Sequence, residues 1–122
     1  MAADFVDLLA WQEGVALVRA VVHLGPQVRG AGAEEVVDQM LRAAESVPAN
    51  VADGYELGLG RDCARFLRVA AASAAEVEGH VRVAEASGRL RAEPALELVR
   101  RARHARALIV GLRRSVRDRG EE

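Results

Sequence analysis

Three histidines, one cysteine and a few carboxylates are the groups in this chain with spacing that could support chemistry. His23, His80 and His104 fall on three different predicted helices, and none follows a Glu by three residues. A metal site in a helical bundle core is built from such Glu-x-x-His pairs, with further carboxylates from the other helices. Glu76 and His80 are four apart and share a helix face, but one such pair supplies too few ligands. Cys63 is the only cysteine. It cannot close an internal disulfide, fits a reducing cytoplasm, and reads as a small apolar helix residue. No Gly-rich phosphate loop, HExxH, CxxC or G-x-S-x-G is present. The expectation is a non-enzymatic protein with no catalytic residue, metal or cofactor.

Charge is the stronger signal. The net charge of −1 hides two opposite halves. Residues 1–88 hold 7 Arg against 13 acids, whereas residues 89–119 hold 10 Arg against 3. Within the second half, Arg103, Arg106, Arg113 and Arg117 recur at helical spacing opposite Ala105, Ile109, Leu112 and Val116, with Arg114 beside them. Such a face either pairs with acids of the preceding helices or forms an electrostatic footprint for nucleic-acid phosphates. Leu96, Val99 and Val110 interrupt it, which leaves room for a subunit interface. Aromatic residues make up only 3%, so stacking on bases has little to draw on.

A third cluster surrounds a proline. Val37, Met40, Ala44, Val47, Val51 and Tyr55 trace one helix face straight past Pro48. A proline inside a helix removes the bond to the carbonyl four residues back and presses on it, at a cost of ~3 kcal/mol. Ser46 and Asn50 offer local donors or water bridges. Arg42 and Asp53 on neighbouring turns are expected to join them in a polar cluster with Glu76 or Glu78, setting register and kink.

The elements that position these groups read as helices throughout. A chain of 122 residues with one Ile, no Thr and no alternating strand pattern is one all-α domain. Helices are expected at about 4–24, 34–57, 62–87 and 93–117. The first carries a stripe of Phe5, Leu8, Trp11, Val15, Val18 and Val22 with Asp4 as N-cap, and ends at Gly25-Pro26. Glycines from Gly54 to Gly60 end the second. The third has a small-residue face that includes Ala70, Ala74 and Gly79, and the tail after Arg117 should fray. No run of apolar residues is long enough for a membrane span, and the N-terminus is acidic rather than a basic signal region, so a cytoplasmic protein is expected. Short connections favour an antiparallel up-down four-helix bundle with one helix kinked at Pro48.

The segment Gln39–Gly54, QMLRAAESVPANVADG, resembles a pattern of small four-helix-bundle proteins encoded in intervening sequences of bacterial large-subunit ribosomal RNA genes. Leu9-Ala10-Trp11-Gln12 resembles the family's first-helix "V-W-Q". Phe66-Leu67-x-Val69-Ala70 followed by Ser73, Glu76 and Glu78 resembles its third helix, and Ala84 to Leu90 the turn after it. The likeness covers about residues 5–90; the last helix matches in pattern only. Asp53 stands where Glu is usual, and Ala72 where Gly is common. The resemblance implies a bundle that assembles as a ring-shaped homopentamer without established enzymatic activity. A related branch, the accessory variability proteins of diversity-generating retroelements, implies binding to nucleic acid and to a protein partner. The sequence therefore leads to an oligomeric binding or scaffold module that associates with RNA, DNA or a ribonucleoprotein through its fourth helix. The alternative is a structural homo-oligomer or protein adaptor that binds no nucleic acid.

Overall fold

In the computed structural model, which describes residues 4, 5, 8–58 and 60–120, the chain forms four helices. They are α1 (Leu9–Leu24), α2 (Ala33–Glu56), α3 (Arg61–Ala86) and α4 (Ala92–Gly120). A 3₁₀ turn at Gly25–Gln27 follows α1, with Pro26 in its first turn. There α1 ends because proline offers no amide to continue it. Each helix packs on its chain neighbours, and α1 closes the cycle against α4. The described residues thus form an all-α four-helix bundle.

Contacts across each pair run in opposite directions. Gly14 meets Val47 and Pro48 while Gly25 meets Val37. Ser46 reaches Ser73 while Gly54 meets Cys63 and Phe66. Arg103 reaches Glu78 while Arg113 reaches Ala64. At one end the two connections clasp: the Arg29 amide donates to the Arg89 carbonyl at 3.0 Å, and Arg29 Nε to the Gly88 carbonyl at 3.3 Å. That clasp needs the sharp end of α3. Gly88 takes φ 77°, and the Arg89 amide folds back on the Ala84 carbonyl at 2.9 Å. Together with the Gly88 amide on the Glu85 carbonyl, this is the double bond of a Schellman cap.

The core is aliphatic and built from small and medium side chains. Leu17, Met40, Leu67, Leu98 and Ile109 are fully buried among Val21, Val47, Val51, Val77 and Val81. No charged or polar residue is buried with them among the described residues.

Several boundaries and faces differ from expectation. α1 begins at Leu9 rather than near Asp4, because Leu8 is extended (φ −75°, ψ 130°) and provides no side-chain cap. Asp4 therefore does not cap this α-helix. The turn before it brings Phe5 edge-on to Trp11, with ring centroids 5.6 Å apart. The buried face of α1 is Ala10, Gly14, Leu17, Val21 and Leu24, one residue round from the expected stripe. Of the expected stripe, Leu8, Trp11 and Val18 are partly buried against the edge of the core; Trp11, Val15 and Val18 also line a shallow groove with Pro48, Ala49 and Ala52, and Val22 is exposed. The face is decided by backbone approach. A Cβ on Gly14 would stand 3.2 Å from the Pro48 nitrogen and 3.2 Å from Val47 Cγ1, so glycine lets α1 come this close without displacing α2.

α2 runs as a helix through Pro48. Gly54 does not terminate it; a Cβ there would lie 3.1 Å from Phe66 Cβ and 3.2 Å from the Cys63 carbonyl, which makes it a packing contact with α3. Gly79 is the opposite case: it faces open space and mediates no approach. Val99 is buried rather than lying on the arginine face, and α4 stays helical to Gly120.

These glycines have opposite expected responses. Gly79→Ala should raise stability in urea unfolding by about 0.5–1 kcal/mol, since alanine restricts the unfolded chain and meets nothing. Gly14→Val should lower it by about 1–3 kcal/mol, through overpacking against the α2 backbone.

Candidate nucleic-acid interface

The expected polar cluster separates into two joints, one on each side of α3. On the α2 side, Asn50 Nδ2 donates to the Ser46 carbonyl at 2.7 Å and lies 2.9 Å from Ser46 Oγ. The two hydroxyls, Ser46 Oγ and Ser73 Oγ, are 2.8 Å apart, and Ser73 Oγ donates to the Val69 carbonyl at 3.0 Å. A serine has one hydroxyl proton. With that of Ser73 spent on Val69, Ser46 must donate to Ser73 and accept from Asn50. The thread runs in one direction from Asn50 through Ser46 and Ser73 to Val69. None of its bonds goes to the Ala44 carbonyl, the acceptor that Pro48 deprives of an amide. It ties α2 to α3 instead of mending the proline site.

Arg42 and Asp53 stay exposed outside this thread, without a hydrogen bond or ion pair among the described residues. Glu76 also remains on the surface, with His80 Nε2 at 3.7 Å. Glu78 belongs to the other joint. Five residues turn a helix by about 140°, so with Ser73 facing α2, Glu78 faces α4. There Arg103 grips it with two bonds, Nε to Oε1 at 3.0 Å and Nη2 to Oε2 at 3.1 Å. Arg82 adds a third, Nε to Oε2 at 2.8 Å. The side chain of Glu78 is only 13% exposed. Hydrogen bonds from Arg103 first, then Arg82, hold its carboxyl at about 2.

Arg103 is thus engaged by an acid, while the remaining predicted arginines are not. Arg106 is half-buried, and Arg114 and Arg117 are exposed. None of the three pairs with a carboxylate among the described residues. Arg113 is half-buried and donates Nε to the Ala64 carbonyl on α3 at 3.3 Å. That contact brings α4 beside a row the charge count missed, because it lies in the acidic half of the chain. Arg61, Arg65 and Arg68 on α3 join Arg113 and Arg117 around a cleft of about 370 Å³, with Gly60 and Ala64 completing the lining. In the sequence, the only trace of this row was its spacing of four and three along one helix.

Other sites offer less chemistry. A cavity of about 560 Å³ between α1 and α4 is lined by Leu24 and Leu98 together with Arg19, His23, Glu97 and Arg101. Glu97 is drawn to Arg101 at 3.6 Å, and no nucleophile lines the cavity. Cys63 is buried, and burial pushes its thiol above the ordinary range, which keeps it protonated and unreactive. Among the described residues no three His, Cys, Asp or Glu side chains converge on a metal position. No described helix is long and apolar enough to cross a membrane.

A protein-family model described as 23S rRNA-intervening sequence protein matches residues 6–111. The match spans α1 to α3 and most of α4, and the chain belongs to that family. It stops short of Arg113, Arg114 and Arg117. No curated protein matches the chain.

The Glu78 joint has a defined pH response. Its folded value, about 2, lies below the ordinary 4.5, so its contribution is complete above pH 4.5 and is lost as pH falls toward 2. Glu78→Gln should unfold at lower urea than the parent chain at pH 7. The gap should close progressively between pH 4.5 and 2, as followed by circular dichroism.

Proposed function

We propose that this member of the 23S rRNA-intervening sequence protein family is a non-enzymatic, self-associating binding module of the cytoplasm. Its partner is nucleic acid, alone or in a ribonucleoprotein, met through arginines of α4. The observation that supports this most is the difference between Arg103 and its neighbours. One arginine of the face is matched by a carboxylate, and Arg106, Arg113, Arg114 and Arg117 have none among the described residues. Unmatched like charges on one side of a helix repel one another, and phosphates relieve that repulsion. With few aromatics, contact runs through the backbone and carries little sequence preference. The family resemblance supports a homopentamer, in which each modest patch would be repeated five times.

A second reading, a structural oligomer or protein adaptor without nucleic acid, draws on exposed apolar side chains. Leu9, Val22, Leu57, Val69, Val83 and Leu96 are each 44–67% exposed. Covering them would favour association between copies or with another protein.

The first reading predicts binding to single-stranded or duplex RNA or DNA at ~50 mM salt, with affinity falling steeply by ~200 mM. Arg106→Gln with Arg114→Gln should flatten the salt slope by about 1–2. Absence of binding at ~50 mM salt leaves the second reading. Light scattering that shows a monomer throughout the micromolar range would remove self-association from both.

A further inference from the structure

We infer that the arginine-lined cleft between the first turns of α3 and the C-terminal half of α4 is a site for a run of consecutive phosphate groups. This deepens the phosphate-contact reading above by naming the place and the ligand chemistry.

Among the described residues, five guanidinium side chains line the cleft and no carboxylate does. Among the described residues one of the five is paired with an acid: Arg65 reaches Asp62 at 3.5 Å, on the open surface. Its guanidinium also lies 5.9 Å over the Phe66 ring, which holds the group without removing its charge. Arg113 is anchored by one bond from Nε to the Ala64 carbonyl, so its terminal amino groups remain for a ligand. Arg61, Arg68 and Arg117 have no acidic partner among the described residues. Crowding these cations around one concavity is unfavourable without an anion, because low-dielectric walls concentrate their field.

The arrangement also specifies the anion. Arg61 to Arg68 spans about 10 Å of helix axis, and Arg113 to Arg117 about 6 Å on the facing helix. One orthophosphate has four oxygens, enough to fill two bidentate forks without sharing an oxygen. A chain of phosphates lying along the groove meets both rows, each arginine offering the paired donors that suit phosphate oxygens. The space is there: Ala64 and Gly60 present little or no side chain, and nothing stands within 4 Å of a Cβ placed on Gly60. The volume is that of a small-ligand pocket.

Consecutive phosphates occur in free polyphosphates and in a nucleic-acid backbone, and calorimetry on the full chain can separate them. Inorganic tripolyphosphate is the probe, at ~50 mM salt, with orthophosphate for comparison and an unphosphorylated single-stranded oligonucleotide as competitor. Tripolyphosphate should bind at least about tenfold more tightly than orthophosphate. Arg68→Gln with Arg117→Gln should weaken it about tenfold or more. Arg42→Gln with Arg100→Gln, which removes the same charge outside the cleft, should leave affinity within about twofold. All four positions are exposed, and a thermal melt checks that both double variants stay folded. Equal losses in the two double variants, or no tripolyphosphate binding, overturn the inference. Displacement by the oligonucleotide supports it with a nucleic-acid backbone as occupant. Tripolyphosphate binding that the oligonucleotide cannot displace supports it with a free polyphosphate as occupant. If no oligonucleotide binds at all, the nucleic-acid reading falls and the cleft stands. Oligonucleotide binding untouched by the cleft variant leaves that reading intact on another surface and supports the cleft with a free polyphosphate as occupant.

Discussion

The bundle depends on how closely α2 can be approached from both sides. At Gly14 the backbone of α1 comes against Val47 and Pro48, and at Gly54 the backbone of α2 comes against Cys63 and Phe66. Both contacts lie where a Cβ would stand within 3.2 Å of backbone or a core side chain. Small separations of this kind suit a core with few aromatics. Ala, Val and Leu fill a narrow space at crystal-like density, where a wider one would leave voids. Pro48 fits the same logic: its ring lies in the α1–α2 groove with Trp11, so a residue that costs a helix bond is also part of the packing.

With that spacing set, two polar joints establish register on the two sides of α3. The hydroxyl thread from Asn50 to Val69 uses its hydrogen-bonding groups in a single direction, which leaves little tolerance for a slip between α2 and α3. The Glu78 joint works differently. It is shallow and charged, and its two-bond grip by Arg103 fixes geometry at an exposed seam between α3 and α4. Together they explain why residues that seemed to form one cluster divide: α3 lies between two partners, and side chains 140° apart serve different ones.

The same seam sorts the arginines. Where α4 passes Glu78, its cation is matched. Beyond it, toward the first turns of α3, cations from both helices meet around a cleft that no described carboxylate lines. One end of the α3–α4 seam is therefore locally basic, although the chain as a whole carries a charge of −1.

Much of this was determined by the sequence alone. Helical periodicity, missing strand signals and Gly-Pro punctuation specify four helices, and Gln39–Gly54 with its companion segments identifies the family, because these are patterns of neighbouring residues. The face each helix buries was decided only by tertiary structure. On α1 two stripes share the spacing of three and four, and backbone approach at Gly14 selects the one that begins at Ala10. Gly54, Gly79 and Gly14 look alike in the chain, yet two are contacts and one faces open space. The arginines of α4 were legible by their spacing, whereas Arg61, Arg65 and Arg68 were hidden within an acidic half. Charge in a sequence is counted along the chain, but a site is assembled across it: only the antiparallel pairing of α3 with α4 brings residues about fifty positions apart around one cleft.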